Sequence, residues 1–182
     1  MYDFLSIGEF KLTRVFVVAT IVTINFILQT AWDLQIFGIA PNIAIIIVVS
    51  FALLRYEMEG AAIGFFAGLL QDIFFGVVLG LNAFLYMVIG YFSGKPFKEF
   101  YAENYLLPVV LVGISTLFFN FAYYIFVFLF RGRLDFLYYM WSIILPSTLY
   151  NTAITLPVYI IIYWINARLE GKEKHRRKIF KN

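Results

Sequence analysis

The sequence holds no cysteine, one histidine and few charges: Asp, Glu, Lys and Arg make up 14% of its 182 residues. Without cysteine there is no disulfide framework, no thiolate metal site and no thiol nucleophile. One histidine cannot supply the H-E-x-x-H pair of a zinc protease. Nor can it serve a serine inside the membrane, because His175 sits among the basic residues of the C-terminal tail. An intramembrane aspartyl protease needs two facing carboxylates, and only Asp72 falls well inside an apolar run. An ion-coupled pump shows several ionisable groups along a path, and one group makes no path. The expectation is a chain that is not an enzyme and carries no metal or cofactor.

Apolar residues are abundant instead, at 63% of the chain with a mean hydropathy of +0.86. Soluble domains are about 45–50% apolar, and a soluble fold of this size leaves roughly a third of its surface exposed. Lipid is the expected solvent. A spanning helix needs about 20 mainly apolar residues. The runs predict an all-α polytopic membrane protein, one transmembrane domain over 1–167 followed by a basic tail over 168–182. Six spans are expected, at about 14–32, 36–54, 59–80, 82–95, 106–130 and 141–166, with five as the competing number. The second has only 13 residues from Asn42 to Leu54, about 20 Å at the helical rise. It crosses with help from residues before Pro41 or in a thinner bilayer.

Lys and Arg in short loops set orientation. Lys11 and Arg14 precede the first span, Arg55 follows the second, Lys95 and Lys98 follow the fourth, and the tail follows the sixth. Loops 33–40 and 80–82 carry neither residue, so both termini are expected in the cytoplasm. Arg131 and Arg133 count against this, and they are where a five-span arrangement would enter. The first apolar run is too long for a signal peptide and lacks an A-x-A-like site, so no cleavable leader is expected. Residues 1–12 read equally as an interfacial segment or a short leader.

The tail holds Arg168, Lys172, Lys174, Arg176, Arg177, Lys178 and Lys181 against Glu170 and Glu173, a net +5 (7 − 2) where the whole chain carries +3. Such a cluster beside a membrane is attracted to anionic lipid by about 1 kcal/mol per basic residue. It reads as a lipid and topology anchor, or as a docking surface for a cytoplasmic protein. Nucleic acid is not expected, because no folded module accompanies the charge.

One segment stands out. In GAAIGFFAGLLQDIFFGVVLG, Gly60, Gly64, Gly68, Asp72, Gly76 and Gly80 follow a spacing of four. Small residues let helices approach closely in lipid. Each step of four drifts about 40° around the helix, so Gly60 to Gly68 keeps to one face while Gly60 to Gly80 winds about halfway round. The span is therefore expected at the centre of the bundle, touched on several sides. Asp72 lies near its middle, where a charge costs about 2.5–3.5 kcal/mol. It should face the interior, a polar cavity or a partner, with Asn25, Gln29, Asn120 and Asn151 as candidate hydrogen-bond partners. Three roles remain open: a carboxyl that locks helices together, a conformational or partner-sensing group, or a substrate ligand.

In PNIAIIIVVSFALLR (41–55) and EGAAIGFFAGLLQDIFFGVVLGLNAFLYMVIGYFSGK (59–95) the sequence resembles the MreD family. The matching positions are Pro41 and Arg55 bounding the second span, Gly60, Gly64, Phe65, Gly68, Leu69 and Asp72 in the next, then Gly76, Gly80, Ala83, Gly90 and Tyr91. The resemblance implies a non-enzymatic scaffold or regulator of bacterial wall elongation and rod shape. Its implied partners are a single-span periplasmic MreC-like protein and, near it, RodA, a class B penicillin-binding transpeptidase and MreB. It also implies a fold like the six-helix substrate-binding subunits of energy-coupling-factor vitamin transporters. That likeness supplies the alternative function, vitamin capture for transport.

Overall fold

A computed structural model describes residues 19–24, 26–27, 41–95, 106–128 and 135–179, with 128 and 170–179 for the backbone alone. Every element among them is helical. α1 covers 19–24 and 26–27, α2 Ile43–Leu54, α3 Glu57–Phe75 and α4 Leu81–Gly94. α5, Leu106–Tyr123, continues through a π-helical turn, Tyr124–Phe128. α6 runs through Phe136–Tyr139, a π-helical turn Met140–Ile144, and Leu145–Ile179. The described residues form an all-α bundle of six helices. Among them three stretches are long and apolar enough to cross a membrane: Glu57–Phe75, Leu106–Val127 and Phe136–Leu169.

α2 forms the centre. Its residues Ala44 to Leu53 are all buried, and it packs against α3, α4, α5 and α6. The sequence IAIIIVVSFALL explains this, because a helix that is apolar all round has no face suited to water. The central place expected for α3 is thus taken by α2. α3 buries one stripe, Gly60, Gly64, Ala67, Gly68 and Asp72, and turns Phe65, Phe66, Ile73 and Phe74 outward.

The cause lies in where α3 stops. It ends at Phe75, five residues short of the expected boundary at 80, because Gly76 adopts an extended conformation. Glycine inside a helix costs about 1 kcal/mol relative to alanine, and Gly80 takes φ +90°, a conformation glycine adopts freely. Gly76 and Gly80 therefore shape a turn and do not pack helices. The winding stripe shrinks to three glycines on one face.

That face meets α4 backbone to backbone. A Cβ at Gly60 would collide with Ala52 of α2 and the Gly90 carbonyl; at Gly64 it would meet the Tyr86 carbonyl, and at Gly68 the Asn82 carbonyl and Ala83. Gly94 lies against Glu57 in the same way. α3 and α4 thus form a close antiparallel hairpin. In lipid, where apolar burial gives helices no reason to associate, such close contact supplies the attraction.

α6 also departs from its expected bounds of 141–166, starting at Phe136 and running to Ile179. The backbone of the basic tail is therefore helical over most of its length. Arg168 is exposed, whereas the side chains of Lys172, Lys174, Arg176, Arg177 and Lys178, and all of Lys181, lie outside the described residues.

A capped polar core at the starts of two short helices

α4 begins without a cap of its own. Gly80 precedes it and has no side chain to offer, so its first backbone N–H groups lack partners. Asp72, one helix earlier, supplies them. Its Oδ1 accepts from the Asn82 N–H at 3.2 Å and its Oδ2 from the Ala83 N–H at 3.0 Å. These are the second and third positions of α4, the pair a capping side chain normally serves. The carboxylate also sits at the positive end of the α4 dipole. It is 3% exposed, and the Gly76–Gly80 turn is what brings α4 back onto it.

Of the partners expected for Asp72, two are bonded elsewhere and two are not described. Asn25 and Gln29 lie outside the described residues. Asn120 donates to Ser147 Oγ at 2.7 Å, and Asn151 binds Asn42 and Thr116. A signal was present in the sequence: a glycine in the capping position obliges the first amides of the next helix to find an acceptor elsewhere, and Asp72 is the nearest acid.

α2 starts at a comparable level and is capped by Asn42, whose Oδ1 accepts from the Ile45 N–H at 3.3 Å. A chain of hydrogen bonds spreads from that cap. Asn42 Nδ2 donates to the Tyr86 hydroxyl at 2.7 Å, and this hydroxyl donates to Gln71 Oε1 at 2.7 Å. The Asn42 backbone N–H donates to Asn151 Oδ1 at 2.8 Å, and Asn151 Nδ2 donates to Thr116 Oγ1 at 3.2 Å. Gln71, Tyr86, Asn42, Asn151 and Thr116 thereby connect α3, α4, α2, α6 and α5. Of these, the sequence reading singled out Asn151 alone. Asn42 could have been found, since an asparagine directly before an apolar run is a helix-start signal. Tyr86, Gln71 and Thr116 carry no such mark.

The opposite end of the bundle holds Arg55 and Lys95. Arg55, at the end of α2, donates from Nε to Asn166 Oδ1 of α6 at 2.6 Å. Lys95 closes α4 with its ammonium 4.6 Å from the centre of the Tyr91 ring. A hydrogen bond with Tyr91 holds the Lys95 ammonium above its usual pKa range. Among the family-motif positions, Pro41 is buried just before Asn42, Ala83 is buried under Gly68, and Gly90 abuts Gly60. Leu69 and Tyr91 are half-buried, and Phe65 is exposed.

Among the described residues no three His, Asp or Glu side chains gather as a metal site. The polar groups are directed at helix ends and at one another. Donors and acceptors so engaged hold helices in register and leave the Asp72 carboxylate committed to backbone amides. Residues 9–166 match a family model described as rod shape-determining protein MreD. No curated protein and no solved structure matches the chain.

Proposed function

The chain belongs to the MreD family of rod shape-determining proteins, and we propose that it serves there as a non-enzymatic membrane scaffold of cell-wall elongation. The observation that supports this is the engagement of Asp72. The one acid well inside the apolar runs is bonded to the Asn82 and Ala83 amides, which suits a structural lock and leaves little for acid–base work. In this reading the protein acts with an MreC-like single-span periplasmic protein, in the neighbourhood of RodA, a class B penicillin-binding transpeptidase and MreB. A tag at Asn182, used to isolate the native complex, is expected to recover the MreC-like protein. Recovery of a pair of ATPases in its place would overturn the proposal in favour of vitamin uptake.

The placement proposed with it is a multi-pass protein of the bacterial inner membrane with both termini in the cytoplasm. Support comes from Arg55 and Lys95 lying at one end of the bundle, the end where Glu57 meets Gly94. The helical basic tail then runs along or beneath the anionic leaflet, where each basic residue adds about 1 kcal/mol of attraction. A tag at Asn182 is expected to resist protease added outside intact spheroplasts and to be cut once they are lysed. Cleavage before lysis would reverse the orientation.

A further inference from the structure

α6 carries a proline in its interior, Pro157. Proline has no N–H, so the carbonyl four residues before it, that of Ala153, has no helical donor. In membranes, nearby threonine hydroxyls can take over such a carbonyl. Here they are committed elsewhere. Thr148 donates to the Ile144 carbonyl at 2.7 Å, Thr152 to that of Thr148 at 2.6 Å and Thr155 to that of Asn151 at 2.6 Å. Among the described residues no side chain donates to Ala153. The next amide along, that of Val158, belongs to Ile154 in an α-helix.

The depth of this carbonyl can be counted. Trp141 and Trp164 are 71% and 62% exposed, and such rings favour the two membrane interfaces. Ala153 is 12 residues from the first and 11 from the second (153 − 141, 164 − 153). It therefore sits near the middle of about 34 Å of helix. It also faces outward: Ala153 and Pro157 are exposed, as are Leu149, Leu156 and Ile160 around them. At that depth there is no water to bond a carbonyl, and acyl chains have no donor.

We infer that this face of α6 seats a transmembrane helix of another protein, which brings a side-chain N–H or O–H to the Ala153 carbonyl near the membrane midplane. Ala153, set between Leu149 and Leu156, leaves a notch, and small residues let helices in lipid approach closely. A second copy of this chain does not fit. Copies in one membrane share an orientation, so a symmetric contact through this face sets carbonyl against carbonyl. The exposed donors Tyr163 and Trp164 lie 10 and 11 residues further on (163 − 153, 164 − 153), about 15 Å or more along the helix. Tyr150 is half-buried and leans toward the helix start, away from the carbonyl, as helical side chains do. Such a partner presupposes the scaffold role proposed above; the face and the bond follow from α6 alone.

Photocross-linking in cells of its own species tests this on the full chain. p-Benzoylphenylalanine replaces either Leu149 on this face or Phe66 on the outer face of α3. The expected result is an adduct from 149 several-fold stronger than from 66. Its cross-linked peptide should lie in the apolar span of a second membrane protein and contain a side-chain donor. Pro157→Ala returns an N–H to the Ala153 carbonyl and is expected to lower the adduct from 149 several-fold, in protein that stays monodisperse after extraction. Ala153→Leu, which covers the carbonyl, takes its place if Pro157→Ala fails to fold. No adduct from 149, an adduct between two copies of this chain, or a yield unchanged in the folded variant overturns the inference. A strong adduct from 66 instead, with the partner still isolated through the Asn182 tag, overturns it and leaves the scaffold reading standing.

Discussion

Gly64→Leu is expected to separate α3 from α4 and to remove most of the folded protein. The first atom added to Gly64 would fall on the carbonyl group of Tyr86, with its carbon 2.6 Å away and the Met87 nitrogen at 3.0 Å. These are backbone atoms, which cannot rotate aside as the end of a side chain can. Overpacking costs about 1–3 kcal/mol where neighbours relax, and a rigid partner puts this site at the upper end of that range or above it. The damage should extend past the contact, because a displaced α4 also draws its first amides away from Asp72, two turns along. Gly113→Ala supplies the control: its added carbon would meet only the Thr152 hydroxyl at 3.3 Å, which a small shift accommodates. Gel filtration of the detergent-extracted proteins distinguishes the two. A monodisperse Gly64→Leu protein with an unchanged unfolding midpoint would contradict the packing described.

Asp72→Leu is the second large effect. It strands the Asn82 and Ala83 amides in a place without water, at about 1–3 kcal/mol for each unsatisfied group. Asp72→Asn keeps one acceptor oxygen and brings an NH2 group that cannot accept, so it should lose about half as much. The expected order of unfolding midpoints is the native protein, then Asp72→Asn, then Asp72→Leu. Equal losses in the two variants would mean that negative charge, acting on the α4 dipole, outweighs the hydrogen bonds.

These two residues also show what could be read from sequence. The glycine spacing announced a close helix contact, and Gly60, Gly64 and Gly68 make one. The same spacing continued through Gly76 and Gly80, yet it carried no sign that the helix ends at Phe75, so the winding stripe and the central place given to α3 followed wrongly. The apolar run of α2 did contain its own answer, since a helix without a polar face is a helix without an outside. Asp72 was legible as a buried acid. Its partners were not, because they are backbone amides, which every residue has and which leave no trace in a pattern of side chains. Tyr86, Gln71 and Thr116 went unnoticed for a related reason: each is ordinary alone and becomes informative only once Asn42 is placed among them.

The ties between α2 and α6 have a consequence for how the protein is made. Asn151 holds the start of α2 and Asn166 holds its end, across separations of 109 and 111 residues. Both come from α6, made more than a hundred residues after α2. At about 5–20 residues per second, the helix at the centre of the bundle waits roughly 5–20 s after its own synthesis before either end is fastened. Until then the nascent protein has a core without its clasp, and a chain cut short before α6 never acquires one.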